Sequence, residues 1–384
     1  MKILFVCENY LPHFGGAEVL FQHLAEGYVA RGHQVTVLTH QMQGTGRKEE
    51  INGVQVLRVP SGHSRYLFTF AAARPVVSLA RTHDLIQTTT FNGAPPAWLA
   101  ARITHKPVVL TVHEVWRGKW QEITGFSWAK SMTHDFLERG VYALPFDRYV
   151  CVSQATQRDL WATGIPQEKT LQVYNGFDHE EWSRDLLGVK ELPHWGTPGD
   201  YRFLACGRPG LSKGFPSLLE AFSLLRQKLP SALLLILGSP EQYPQNYQYL
   251  LRLIQEKHLQ DSVTILTSVS QEELKKHYTA TDAVVVPSLS EGFGYSAVRA
   301  TALGKPVVVT DAGSLPEVVS GTYRIARKND PRDLAEQMFL LAGGKGKKRK
   351  KKEFPWERTI EQYLEMYAFL LPGLKPPTHS SQPL

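Results

Sequence analysis

Short apolar runs with strand character recur along this chain, each followed by a turn-rich loop and a segment of helical periodicity. Residues 2–7, KILFVC, read as a buried strand; the loop ENYLPHFGGAE leads into the helical pattern EVLFQHLAEGYVARG, and HQVTVLT is strand again. A β-loop-α-β unit of this kind predicts a parallel sheet, because parallel strands need a crossover connection. DLIQTT, PVVLTVH and RYVCVS continue the series, with helical stretches such as GAPPAWLAARITH between them. Near residue 171, LQVYNGFD ends it, and the polar stretch HEEWSRDLLGVKELPHWGTPGD reads as a linker. A second series opens with YRFLACGRPGLSKGFPSLLEAFSLLRQKLP and runs through ALLLILGS, VTILTSV, DAVVVPS and KPVVVTD. The expected fold class is α/β: two doubly wound domains with an interdomain cleft, ligand loops lying at strand carboxyl ends. A length of 384 residues suits two such domains.

Charge narrows the function classes. The net charge is +7, yet the run KGKKRKKK, residues 345–352, holds seven cations by itself; without it 36 basic residues face 36 acidic ones. Cations confined to one run, rather than spread with aromatics over a face, argue against a nucleic-acid binder. The run reads as a solvated loop between two helices, or as a targeting signal, or as a peripheral contact with anionic lipid worth about 1 kcal/mol per residue. Cys7, Cys151 and Cys206 lie in strand-like runs and form no C-x-x-C pair, as expected of reduced core thiols in the cytoplasm. MKILFVCENY reads as a first strand and not as a signal peptide. The longest apolar region, YLFTFAAARPVVSLA, is interrupted by Arg74 and Pro75 and is too short to span a bilayer.

PHFGGAE, TVHEVW, YNGFD, GRPGLSKG, SEGFGYSAVRA and FPWERTIEQYLEMY occur in an order that resembles the retaining GT-B glycosyltransferases, family 4 in particular, from residue 1 to about 371. The resemblance implies two Rossmann-like domains: 1–186 binding acceptor and 187–355 binding a nucleotide sugar. It further implies a crossover helix, 356–371, that returns to the first domain, and leaves 372–384 as a disordered tail. The activity implied is transfer of a hexose-type sugar from a nucleotide-diphosphate sugar to a glycan, lipid-linked or small-molecule acceptor. The donor is a substrate, and no cofactor is expected. A GT-B phosphorylase or epimerase, and a non-catalytic binder docked by its basic run, are the alternatives.

Breaking the bond from an anomeric carbon to a diphosphate builds negative charge on the leaving group, which a positive site must meet. By resemblance Arg208 and Lys213, in the Gly-rich loop of the second series, grip the diphosphate; a surface turn with ordinary charges is the bland reading. Gly292 and Gly294 let the backbone approach a ligand, and the amides of Tyr295 and Ser296 open a helix, a ready anion site. Gly15 and Gly16 open the helix after the first strand, where amides face phosphate or acceptor, or simply form a tight turn. His113 ends the strand VVLTVH and by resemblance touches the transferred sugar, as Glu291 does. Asn175 and Gly176 match the family's Asn-Gly turn, structural or ligand-contacting, while Glu317 reads as a helix-dipole partner. Neither Asp-x-Asp nor His-Glu-x-x-His occurs, so no metal site is expected.

One position departs from the family pattern. Glutamate ordinarily stands at both ends of an eight-residue interval; Glu291 matches the first, but the second is Arg299, a candidate ribose-site residue. A carboxylate accepts from both ribose hydroxyls, whereas arginine only donates. Losing such a charged pair costs about 1.5–3 kcal/mol in binding. Three readings stand: an ion pair with a nearby acid, recognition of an unusual donor or additional phosphate, or a relative that binds without turnover. Close to His113, the segment EVWRGKWQEITGFSWAKSM sets Trp116, Trp120 and Trp128 among cations. It reads as packing between helices, or as a surface that rests on a membrane or covers a lipid-linked acceptor.

Overall fold

A computed structural model describes residues 1–373 except 14, 63, 184–194, 240, 242 and 268. The expected tail therefore falls, from 374 onward, outside the described residues, as does the middle of the expected linker. The chain forms two compact units: one comprises 1–117, 133–176 and the residues from Pro355, the other 118–132 and 177–354.

The first unit carries eight strands: β1 (Lys2–Val6), β2 (Gln34–His40), β3 (Lys48–Ile51), β4 (Val54–Val59), β5 (Leu85–Thr89), β6 (Val108–Val112), β7 (Arg148–Cys151) and β8 (Thr170–Gln172). They lie in the order β3-β4-β2-β1-β5-β6-β7-β8, and all pairs are parallel except β3–β4. The second unit repeats the plan with β9 (Tyr201–Cys206), β10 (Ala232–Leu237), β11 (Val263–Leu266), β12 (Ala283–Val286), β13 (Val307–Thr310), β14 (Gly321–Ala326) and β15 (Lys347–Arg349). Their order is β11-β10-β9-β12-β13-β14-β15, with only β14–β15 antiparallel.

Both sheets are doubly wound. Each begins in its middle, winds one way and then reverses, so that β1 lies between β2 and β5, and β9 between β10 and β12. At such a reversal the loops after adjacent strands diverge and leave a crevice at the carboxyl edge. Strands covered by helices on both faces read as unbroken apolar runs, and VVLTV of β6, AVVV of β12 and VVVT of β13 are buried throughout. Leu4, Val6, Ile86, Leu110, Phe68 and Phe146 anchor the first core; Phe203, Leu234, Val285, Phe215, Phe222 and Met338 anchor the second.

The terminal helix Trp356–Leu370 belongs to the first unit. Tyr363 and Tyr367 are fully buried there, the Tyr28 hydroxyl donates to Tyr367 at 3.4 Å, and Trp356 stacks on His23 at 4.1 Å. Gly176 sits beneath that indole: a Cβ would lie 2.2 Å from Trp356. Its glycine is thus explained by packing.

The structure revises two local expectations and bears out a third. The basic run is not a loop, because Lys347–Arg349 adds an antiparallel edge strand to β14. Arg349 donates to the carbonyls of Pro316 and Val319 and lies 4.9 Å over the Tyr323 ring, while the Lys352 amide donates to Ser320. Lysines along such an edge discourage pairing with another chain. The apolar run around Arg74 and Pro75 forms the helix Arg65–Ala80, with Pro75 inside it, and this helix is not one that could cross a membrane. The tryptophans also divide: Trp120 is 8% exposed and packs as core, whereas Trp128 is 69% exposed. Among the described residues no helix is long and apolar enough to cross a membrane.

Candidate active site

In the second unit the loop after β9 folds against the end of β12. Lys213 closes a short 3-10 turn, and Gly214 (φ 68°) starts the helix Phe215–Lys228. A Cβ on Gly214 would lie 1.9 Å from the Pro287 carbonyl oxygen, so the two loops touch backbone to backbone. The Leu289 amide donates to the Ser212 carbonyl at 2.8 Å across the same seam. This brings Lys213 to Glu291: Nζ lies 2.8 Å from Oε2, which also accepts from Ser288 Oγ at 3.1 Å. The Glu291 carbonyl accepts from the amide and hydroxyl of Ser314, and Gly313 (φ 49°) leaves room for it, since a Cβ would come within 2.2 Å.

Next in the chain, Gly294 (φ 88°) caps the helix Tyr295–Ala302. Ser296 Oγ donates to the Cys206 carbonyl at 3.2 Å, which ties that helix start to the end of β9. Lys213, Glu291, Gly294, Tyr295 and Ser296 therefore meet at the β9–β12 reversal, where a cation stands beside a helix start, the arrangement that suits an anion. Arg208 is exposed on the same loop. Arg299, one turn into the helix, finds no carboxylate within ion-pair distance among the described residues, so the ion-pair expectation lacks a partner. Its guanidinium lies 5.1 Å over the Trp182 ring and 6.0 Å from that of Tyr295.

In the first unit Gly15 caps the helix Gly16–Ala30 at the carboxyl edge of β1. Its φ of −162° is extended backbone open to any residue, so torsion alone does not demand glycine there. His113 follows β6 at the same edge, its ring 6.4 Å from that of Phe21. Its Nε2 is shielded and unpartnered. Burial pushes its pKa down to about 4, opposed by the Glu18 carboxylate, so the imidazole is neutral at pH 7. Asn175 is buried with an unpartnered Oδ1. Glu317 stands in the first turn of the helix Leu315–Val318, as the dipole reading expects.

Sequence reasoning passed over Glu18. It is 9% exposed in the first helical turn, 3.3 Å from His13 Nδ1, and it bears electrostatically on His113. An acid two residues after the Gly15-Gly16 pair was the available signal. Glu8, which accepts from Asn92 at 2.8 Å at the end of β1, was passed over as well.

The model of Glycosyltransferase Family 4 matches residues 14–181, and that of Glycosyl transferases group 1 matches residues 194–353. An MMP alpha-(1->4)-mannosyltransferase of Mycolicibacterium hassiacum is 31% identical over 96% of this chain and 98% of its own. The chain belongs to the family 4 glycosyltransferases. This family 4 glycosyltransferase also shares its fold with sucrose-phosphate synthase from Thermosynechococcus elongatus (TM-score 0.79, 21% identity, 97% and 99% of the two chains). Anabaena HepE, solved with UDP and glucose, superposes with a TM-score of 0.71 at 20% identity over 96% and 100%. The fold is GT-B, and the protein is an enzyme that transfers glycosyl groups.

Proposed function

We propose that this glycosyltransferase moves a hexosyl group from a nucleotide-diphosphate sugar to a hydroxyl of a glycan, lipid-linked or small-molecule acceptor, with retention and without a metal ion. The observation that carries the reading is the Lys213–Glu291 pair at the β9–β12 reversal, beside the start of the helix Tyr295–Ala302. That arrangement suits a diphosphate and a sugar hydroxyl side by side. HepE, which shares the fold, has been solved with UDP-glucose, and this supports a donor of the same class.

In this reading residues 187–355 hold the donor and residues 1–186 the acceptor. Arg208, Lys213 and the Tyr295 and Ser296 amides meet the diphosphate, with Gly294 admitting its close approach. Glu291, paired with Lys213, accepts from a sugar hydroxyl. The amides at Gly15 and Gly16 face acceptor or phosphate, and His113 bonds the transferred sugar as a neutral imidazole. The bond from the anomeric carbon to the phosphate oxygen breaks, the acceptor oxygen joins on the same face, and its proton passes to the departing phosphate. The enzyme acts in the cytoplasm, where exposed lysines of 345–352 support peripheral contact with anionic lipid.

Transfer assays with chelator present test this directly. The expected result is turnover unaffected by chelator, with NMR of the product showing the donor's anomeric configuration. Turnover that requires inorganic phosphate would favour a phosphorylase instead, and donor binding without transfer would favour a non-catalytic binder.

A further inference from the structure

We propose that the first unit carries an anion site of its own, at the amino edge of its sheet, which takes a phosphate monoester or free phosphate. A cavity of about 410 Å³ opens there, within the range of small-molecule sites. β1, β5 and β6 begin beside it: Lys2, Asp84 and Lys106 line it, together with the buried His83 and with Arg81 from the end of the helix Arg65–Ala80. Gly15 and His113 lie at the opposite edge, separated from it by the length of β1, roughly 16 Å at the usual strand rise. The site is independent of the donor-site reading.

Three cations face this cavity against one acid. Among the described residues Lys2, Arg81 and Lys106 enter no ion pair and spend no side-chain hydrogen bond. Lys2 and Arg81 are exposed and Lys106 is half-buried, so a ligand from solvent reaches all three. Asp84 is engaged, because its Oδ2 accepts from the Lys2 amide at 2.6 Å. Cations near helix carboxyl ends ordinarily answer the last carbonyls. Here those carbonyls are taken. The Tyr28 carbonyl accepts from the Arg31 and His33 amides, and the Leu79 carbonyl accepts from Thr82 Oγ1 at 3.0 Å and His83 Nδ1 at 2.7 Å. His83 is spent at both nitrogens, since Nε2 lies 2.9 Å from Thr36 Oγ1. Burial first, and then Lys2 and Lys106, hold its pKa below the usual histidine value, so both lysines bear on one buried, neutral ring. The cavity is left with two positive charges in excess. Such a concavity concentrates counter-ions, and unspent lysine and arginine donors suit an acceptor-only phosphoryl group, whose charge of nearly two near pH 7 matches the excess.

Calorimetry at low salt tests this, with inorganic phosphate, glucose 6-phosphate and glucose titrated into wild type, Arg208→Ala and the double variant Arg81→Gln/Lys106→Gln. At least one of the two phosphates should bind wild type saturably, and glucose should not. The double variant should weaken that binding tenfold or more, and Arg208→Ala should leave it within about twofold. Arg81→Gln alone, at an exposed helix end, should weaken it severalfold, which serves if circular dichroism shows the double variant unfolded. Tighter binding of glucose 6-phosphate would assign the site to an ester, and equal or weaker binding to free phosphate; either supports the site. No saturable phosphate binding, glucose binding as tight as its phosphate, or phosphate binding that survives the Arg81 and Lys106 changes would overturn it. Loss of binding in Arg208→Ala would place the phosphate at the donor loop and overturn it as well.

Discussion

Replacing Lys213 with alanine is expected to lower kcat/KM by about two to three orders of magnitude, the usual effect of removing one preorganised group that meets developing charge. Two losses combine. In the proposed reading the leaving diphosphate loses its cation, and Glu291, whose side chain is only 15% exposed, keeps the Ser288 hydroxyl as a neutral partner but loses its countercharge. Exposed Arg208 cannot restore a contact fixed at 2.8 Å. Stability should change little, because Lys213 closes a surface turn. Steady-state rates and thermal melts of Lys213→Ala measure both quantities, and a rate within fivefold of wild type would remove Lys213 from the site.

Gly214→Ala should be the most damaging single-methyl change in the second unit. The position has a φ of 68°, and its Cβ would lie 1.9 Å from the Pro287 carbonyl oxygen, a backbone atom with no rotamer to yield. The left-handed backbone alone costs a non-glycine residue about 1–2 kcal/mol. Separating the β9 loop from β12 brings the total to about 3–5 kcal/mol, in the range of severe substitutions. Gly304 supplies the matched control, with a φ of 70° and nothing within 4 Å of a Cβ. Gly304→Ala should cost only the backbone share. Urea unfolding of the two variants separates the effects, and equal destabilisation would mean that the loop contact at Pro287 is not formed.

The two α/β series were legible because strands buried on both faces leave unbroken apolar runs, as AVVV and VVVT do. Glycines between strand and helix marked the loops that later proved to touch, Gly214 against Pro287 and Gly313 against Glu291. The pair β3–β4 was missed because KEEI alternates half-exposed residues and carries little apolar signal. β15 was missed because its pairing with β14 is held by Arg349 contacts to carbonyls and a tyrosine face, which no periodicity records. For the site, residue types at loop positions pointed to Lys213, Glu291 and Ser296. The surroundings of Arg299 were hidden, since Trp182 and Tyr278 reach it from helices remote in sequence. Glu18 was hidden for another reason: an acid in a first helical turn reads as a dipole partner until the fold sets it against His13 and His113.

The central claim is that a nucleotide-diphosphate sugar binds at the β9–β12 reversal without a metal ion. Calorimetric titration of UDP-, GDP- and ADP-sugars with chelator present, against wild type and Arg208→Ala, tests it most directly. Saturable binding of one donor to wild type is expected, with that binding lost in Arg208→Ala, a change at an exposed side chain that spares the fold. Wild type that binds none of the donors, or Arg208→Ala that binds as tightly as wild type, would contradict it.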